Sequence, residues 1–308
     1  MAASSRLSLQ IKLNEVDSMA GKDLDKNSLI QKINVIFHET EGNFVTSSMT
    51  ADPDLIGIPL FDEPLIGLAS ATDPLFQKYK EKDVIGPWFM TPEEWMPGAG
   101  TVISIFLPFS DAVKKSNHGH IEIPSLLWLF GRIEGQEFIA SFAGALRDAL
   151  TQQTIPACVP GIDPRFRFIK AGKGLEGFSD MTEKTFGSNW SERHAAYAAG
   201  LGTFGLSKGL ITRRGIAGRF TSIIISERLD PDPRPYTGLY DYCIMCGACI
   251  RRCPANAISI ESGKDHAKCF PWLLKTGEMH APRFGCGKCQ TAVPCESGIP
   301  AATAKERD

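Results

Sequence analysis

Cysteine is nearly absent from the first 242 residues of this 308-residue chain, where Cys158 stands alone. An excess of charge is also lacking: the formal net charge is −2 at pH 7, so no overall positive field predicts binding to nucleic acid. No apolar run approaches the roughly 18 residues of a membrane-spanning helix. The N-terminal residues show no positively charged segment followed by an apolar one, so no secretion signal is predicted. We therefore expect a cytoplasmic location and no membrane partner.

The eight remaining cysteines are crowded into the last 66 residues. Four of them follow the pattern C-x2-C-x2-C-x3-C-P, which begins at Cys243 and ends at Pro254. This spacing is typical of ferredoxin loops, in which three cysteines surround one cubane iron–sulfur cluster and the fourth ligates a neighbouring cluster. Structural zinc sites usually take two separated C-x2-C pairs, so zinc is the less favoured interpretation. Disulfides are disfavoured because no secretion signal is predicted.

The other cysteines do not repeat this motif, yet eight cysteines supply two sets of four thiolates and so predict two [4Fe–4S] clusters. The outlying cysteine of each run is expected to ligate the other cluster. Cys158 lies in an apolar run and is predicted to be a small core residue. The first cysteine set is then Cys243, Cys246, Cys249 and Cys295, and the second cysteine set is Cys253, Cys269, Cys286 and Cys289.

The residues before the cysteine region alternate between strand and helix patterns, which predicts an α/β fold. Residues 7–13 alternate apolar and polar side chains, as in a half-buried strand. The compact apolar run 101–108 predicts a central strand. Residues 124–152 follow a helical pattern that Gly131 and Gly135 are expected to interrupt.

A change in composition marks the expected domain boundary. Residues 220–225 predict a late strand, and the proline-punctuated segment 230–235 that follows predicts a linker. We therefore expect an α/β domain of residues 1–228 and a ferredoxin-type domain of residues 229–308.

A glycine-rich segment, residues 200–205, formally matches the G-x-G-x-x-G dinucleotide fingerprint. That fingerprint needs a strand before the glycines and a helix after them, and here the order is reversed. Residues 189–199 predict an alanine-rich helix with Asn189 as its cap, Glu192 at the capping-box position and Gly200 as its left-handed end. Residues 209–212 predict a strand. A nicotinamide site is therefore the weaker alternative, and we expect the glycines to let the backbone approach a large flat ligand.

From Glu192 onward the chain resembles epoxyqueuosine reductases, cobalamin-dependent enzymes related to reductive dehalogenases. The resemblance rests on the segment A-A-G-L-G-T-F-G ending at Gly205, on the first cysteine run, on isolated Cys269 and on F-G-C-G-K-C-Q ending at Gln290. It implies a nitroreductase-like α+β sandwich that binds a corrinoid, followed by a two-cluster ferredoxin domain that reduces the cobalt. The cobalamin-binding residues that it implies are Gly200, Leu201, Gly202, Thr203, Phe204 and Gly205.

The chain departs from that family at sites of function. Phe186 stands where the family carries a proton-donating aspartate, and the chain ends at Asp308 without the helical repeats that the family uses against tRNA. We therefore expect little reduction of epoxyqueuosine in tRNA. The candidate proton donors near the glycine segment are Tyr197, Glu192 and Asp180, with His194 on the same helix.

Two classes of function follow from these patterns. In the first, a low-potential donor of ferredoxin or flavodoxin type passes electrons through both clusters to a bound corrinoid, which reduces a small molecule or a modified nucleoside. In the alternative, the chain is an electron-transfer protein that reduces a corrinoid on another protein. The size of the N-terminal region, more than 200 residues, favours the reductase.

Overall fold

The computed structural model describes residues 24–169 and 187–301. The described helices are α1 (Lys26–Glu39), α2 (Pro74–Lys78), α3 (Pro92–Trp95), α4 (Asp111–Ser116), α5 (Leu126–Arg132), α6 (Glu134–Gln152), α7 (Glu192–Ala198), α8 (Ala248–Arg251) and α9 (His266–His280). The described strands are β1 (Leu65–Ser70), β2 (Thr101–Pro108), β3 (Ala157–Cys158), β4 (Phe168–Ile169), β5 (Gly187–Ser188), β6 (Gly202–Phe204), β7 (Leu210–Thr212), β8 (Gly218–Ile225), β9 (Ile258–Ser259) and β10 (Gly263–Lys264).

An antiparallel sheet with the strand order β1-β2-β8-β3 forms the centre of the N-terminal region. Its interior strands are β2 and β8, so the central strand and the late strand predicted from the sequence are confirmed. Every residue of β2 is buried, because the sheet is covered on both faces. The predicted strand at residues 7–13 lies outside the described residues.

Apolar side chains of α1 and α6 cover one face of the sheet. Apolar positions recur along each helix at a spacing of three or four residues, which places them on one side. Ile103, Ile105 and Ile223 from the sheet belong to the same core as Ile33 of α1 and Phe142 of α6. This core therefore joins strands and helices into two packed layers.

An aromatic cluster and α7 cover the opposite face. Trp190 stacks on Phe89 and Phe76, with ring centroids 5.5 and 6.0 Å apart, and meets Trp95 edge-on at 6.3 Å. The indole N–H of Trp190 donates to Ser222 Oγ of β8 at 2.8 Å. The fold is thus a mixed one in which an antiparallel sheet lies between two helical or aromatic layers.

The predicted helix over 124–152 is divided, but not by its glycines. The division falls at Ile133, between α5 and α6, while Gly131 and Gly135 lie inside the two helices. A Cβ atom at Gly131 would come within 2.7 Å of the Phe109 ring. The glycines therefore allow helices to pack closely against aromatic rings.

The predicted capping of α7 is wrong. The N-cap is Ser191, and the Asn189 side chain instead accepts from Arg167 N at 2.8 Å and donates to Arg165 O at 2.9 Å. Glu192 is the first helical residue and its carboxyl group is buried, so it does not complete a capping box. Gly200 ends the segment with φ +77°, as the sequence predicts.

The segment after β8 is held against the sheet, because Asp232 exchanges two hydrogen bonds with the backbone of Leu68 in β1, at 3.0 and 2.8 Å. The division of the chain at residue 228 stays a prediction.

Within the two described ranges, we find no helix with the length and apolar character needed to cross a lipid bilayer.

Candidate functional site

The first cysteine set lines one small pocket whose other walls are mostly apolar. The loop that carries its first three cysteines turns through left-handed residues at Met245 and Gly247, with φ +54° and +68°. Burial, followed by the nearby cysteines, raises the pKa values of the Cys249 and Cys295 thiols to about 12. The lining residues are Cys243, Cys246, Cys249 and Cys295 with Gly205, Leu206, Ser207, Ile211, Ile216, Ile244, Gly247, Ala248, Val293 and Pro300.

The second cysteine set lines a different cavity of about 260 Å³. Burial is the main cause that raises the pKa of the Cys286 thiol to about 12, and the other three cysteines of the set contribute to this rise. The structure thus brings the cysteines together in the two sets that their spacing predicts. Cys158 lines neither pocket and lies half-buried in β3, where its thiol contacts Asp163.

The two pockets are neighbours and have the donors that iron–sulfur clusters need. Cys289 of the second set contributes to the raised pKa of Cys249 in the first set, so the two sets lie close enough to interact. Within residues 24–169 and 187–301, no three His, Cys, Asp or Glu side chains close on a single metal ion. Four thiolates around one pocket suit a larger cofactor, and cubane clusters are held in this way.

Five cationic side chains, which we call the cationic wall, line the second cavity. They come from separate elements, and within residues 24–169 and 187–301 no Asp or Glu is among the lining residues. Arg219 is bonded to the side-chain amide of Gln136 at 3.0 Å. Burial, then repulsion from Arg132 and Arg193, lowers the pKa of Arg219. The cationic wall consists of Arg132, Arg193, Lys208, Arg219 and Lys264.

Lys288, between two cysteines of the second set, anchors them to the N-terminal region. Its side chain is 1% exposed, and its ammonium donates to Asn117 O, Asn117 Oδ1 and Gly119 O at 3.0 to 3.1 Å. Burial and then Arg252 lower its pKa to about 8. Lys288 was not predicted from the sequence, although its position inside the Cys-Gly-Lys-Cys motif indicates a residue close to the second cysteine set.

The glycine segment, residues 200–205, contacts the residues that come just before the first cysteine set. Its strand β6 pairs with β7, and Phe204 N donates to Leu239 O at 2.8 Å. Thr203 Oγ1 accepts from the backbone N–H of Tyr242, just before the first cysteine set, at 2.8 Å. The segment therefore positions the loop that carries the first cysteines.

Protein atoms fill the space that we expected the glycines to leave for a flat ligand. A Cβ atom at Gly202 would lie 2.0 Å from Ile211 O, and one at Gly200 would lie 2.6 Å from Pro233 O. Residues 201–205 are buried. Close approach of backbone to backbone explains these glycines, so this segment, as described, shows no cradle that fits a corrin ring. Its assignment to cobalamin stays a prediction.

Glu192 is the most unusual of the predicted proton donors. Burial raises the pKa of its carboxyl group to about 7, although hydrogen bonds with Ser222 and Trp190 act in the opposite direction. Its Oε2 atom is buried and has no hydrogen-bond partner among the described residues. A carboxyl group in this setting holds a proton near neutral pH.

The other candidates lie in different surroundings. His194 and Tyr197 both contact the Phe204 ring, with centroids 4.9 and 6.1 Å away, so they share a helix face as expected. Burial, followed by the charge of Arg193, lowers the pKa of His194 to about 4, so its ring is neutral at pH 7. Burial raises the pKa of Tyr197. Asp180 lies outside the described residues.

Comparisons with known proteins agree with these features. Residues 239–259 match the family described as 4Fe-4S binding domain. Over 126 residues, 37% of this chain and 34% of the relative, the chain is 31% identical to an epoxyqueuosine reductase of Francisella cf. novicida. Over 113 residues, 33% of this chain and 36% of the relative, it is 36% identical to an epoxyqueuosine reductase of Leadbetterella byssophila. The alignments span about a third of each relative, and over that stretch the predicted resemblance is confirmed.

The fold has a counterpart among solved structures. A structure of the catabolic reductive dehalogenase NpRdhA superimposes on 98% of this chain and on 38% of its own length, with a TM-score of 0.52 and 14% identity. At this identity, the likeness shows a shared fold and carries no information on substrate.

Proposed function

We propose, from this sequence relation to epoxyqueuosine reductases, that the chain is an oxidoreductase with two [4Fe–4S] clusters that deliver electrons to a reducible substrate. The observation that carries the proposal is the pair of neighbouring pockets, each lined by four cysteines. Clusters held in this way transfer one electron at a time, and their adjacency suits transfer from one to the other. A low-potential ferredoxin or flavodoxin is the proposed electron donor.

Cobalamin is the proposed second cofactor, and its support is the sequence resemblance. When bound, a corrinoid supplies a reduced metal able to break carbon–oxygen or carbon–halogen bonds. The described residues contribute electron delivery and a proton. Of the three predicted donors, Glu192 is the one whose surroundings hold a proton close to neutral pH, which is the condition for a general acid.

The proposed substrate is a modified nucleoside or another small molecule. The relatives that the chain matches are themselves epoxyqueuosine reductases, so the expectation of little reduction of epoxyqueuosine in tRNA finds no support in the comparisons. Phe186, on which part of that expectation rested, lies outside the described residues. Epoxyqueuosine within a tRNA stem loop therefore belongs among the substrates to be tried first.

The proposal is tested with protein reconstituted anaerobically. Iron and sulfide analysis should give about eight of each per chain, since each cubane holds four irons. The loaded protein is then mixed with cob(II)alamin, a chemical reductant and an epoxyqueuosine-containing stem loop, and the product is followed by mass spectrometry. Bound zinc in place of iron would refute the proposal, and full clusters that reduce only a corrinoid on another protein would establish the electron-transfer alternative.

A further inference from the structure

The cavity of the second cysteine set has more positive charge around it than a cluster requires. A cubane with four thiolates carries about two negative charges when oxidised and about three when reduced. The five side chains of the cationic wall exceed either value, and none of the described residues that line the cavity is acidic. The excess is local, because the whole chain has a formal net charge of −2.

Arg193 shows that this charge is not neutralised by the protein. It lies at the first turn of α7 and lines the cavity, where its side chain is open to water. No carboxylate of the described residues forms an ion pair with it. Glu192 precedes it in sequence, but adjacent residues of a helix do not face each other, and the Glu192 carboxyl turns toward Ser222.

Two further features of the residues that line this cavity indicate a ligand. Trp272 also lines the cavity, and its buried indole N–H has no hydrogen-bond acceptor in the part of the chain that the structure describes. Lys208 lines the cavity from a turn and adopts φ +56°, a conformation that a non-glycine residue rarely takes and that concentrates at functional sites. An anion with several acceptor oxygens would satisfy both the indole donor and the guanidinium groups.

We propose that this cavity binds, beside the second cluster, a small molecule bearing phosphate or carboxylate groups. The guanidinium groups of Arg193 and Arg219 suit the planar, two-point recognition of such oxyanions. The cavity of about 260 Å³ must also hold the second cluster of the proposed function, and it already lies below the usual range for small-molecule sites, roughly 300–1,000 Å³, so the ligand is small. This inference deepens the proposed function, on which it rests, by naming the chemical class of the substrate.

The test uses the full chain with its clusters reconstituted, titrated calorimetrically with inorganic pyrophosphate in one series and citrate in another. We expect one site per chain for at least one of the two anions, and the series in which binding is tighter identifies phosphate or carboxylate. Arg193→Gln and Arg219→Gln should each weaken binding about tenfold or more, as expected for the loss of a charge-assisted hydrogen bond. Arg147→Gln, an exposed arginine of α6, is the matched control and should bind like the wild type.

Iron and sulfide analysis of every variant separates this inference from the proposed function, because it reports the clusters whether or not an anion binds. If the arginine variants lose iron, Lys208→Gln replaces them, and its weaker binding would support the site. Failure of the fully loaded wild type to bind either anion would overturn the inference. Unchanged binding in the variants would also overturn it, since the anion would then sit elsewhere.

Discussion

Each of the two cysteine sets provides four sulfur atoms, but the surroundings of the two sets are opposite in character. Around the first set the walls are apolar, with Ile211, Ile216 and Val293 in one cluster with the cysteines. Around the second set the walls are cationic, and Lys288, which is buried, stands between Cys286 and Cys289 in the sequence. Reduction adds a negative charge to a cluster, and cationic neighbours stabilise that charge more than apolar ones do. We therefore expect the second cluster to have the higher potential and to receive electrons from the first.

Cys253 is the residue that tests how the cysteines are divided between the two pockets. It lies on the same run as the first set but lines the second cavity. We expect Cys253→Ala to lower the iron content from about eight to about four per chain and to leave the same electron paramagnetic resonance signal as Cys289→Ala. Cys246→Ala should leave the other signal. A Cys253→Ala spectrum that matches Cys246→Ala would show that the sets are divided differently.

Lys288 should matter more for the stability of the second pocket than for the first. Replacing it with methionine removes the three hydrogen bonds that its buried ammonium donates to Asn117 O, Asn117 Oδ1 and Gly119 O. We expect a loss of about 3 kcal/mol in the free energy of unfolding, together with selective loss of the second cluster. Denaturant unfolding and iron analysis measure both effects, and the exposed Lys78→Met serves as the control. Loss of the first cluster alone would contradict this assignment.

Glu192 directly precedes Arg193 of the cationic wall, and the pH dependence of stability reports the protonation state of its carboxyl group. Its folded pKa of about 7 lies above the unfolded value of roughly 4.3. The acid therefore favours the folded state fully below about pH 4.3, and this contribution is lost as the pH rises through about 7. Glu192→Gln should become more stable than the wild type over this window, by up to about 3 kcal/mol at pH 8.

The measurement is thermal or denaturant unfolding of Glu192→Gln and wild type between pH 4 and pH 8. The exposed Glu137→Gln of α6 is the control, and its stability relative to the wild type should not change in this way. A Glu192→Gln protein that is equally destabilised at every pH would mean that the carboxyl group is ionised and paired in the folded state.

The smallest expected effect tests the difference in potential directly. Arg193→Gln removes one positive charge from the second cavity, and we expect its cluster potential to fall by on the order of 50 mV, about 1 kcal/mol for one electron. The potential of the first cluster should stay within a few mV of the wild-type value. A redox titration followed by electron paramagnetic resonance distinguishes the two signals. Equal shifts of both would show that the surroundings of the pockets do not set their potentials.

Local patterns in the sequence were enough for part of this molecule. The interior strands β2 and β8 and the left-handed Gly200 were predicted, because each depends on residues a few positions apart. The two cysteine sets were predicted from the spacing of the ferredoxin motif, although Cys295 lies far along the chain from the other cysteines of its set. The helix cap at Asn189 was predicted wrongly, since a tertiary contact with the backbone of Arg165 and Arg167 competes for its side chain. At Gly202 the backbone of β7 lies where a flat ligand was expected, because β7 pairs with that strand, and the assignment of this glycine to cobalamin stays a prediction.

The cationic wall could be recognised only in three dimensions. Its side chains come from α5, α7, the turn before β7, β8 and β10, so no spacing along the chain marks them as neighbours. Electrostatic interactions depend on the distances between charges in space, and the net charge of the chain hides a local excess. The protonated state of Glu192 follows the same rule, because burial, which depends on the fold, sets its pKa. Spacing in the sequence determined which sulfurs gather in each pocket, while tertiary packing decided the electrostatic surroundings in which each set lies.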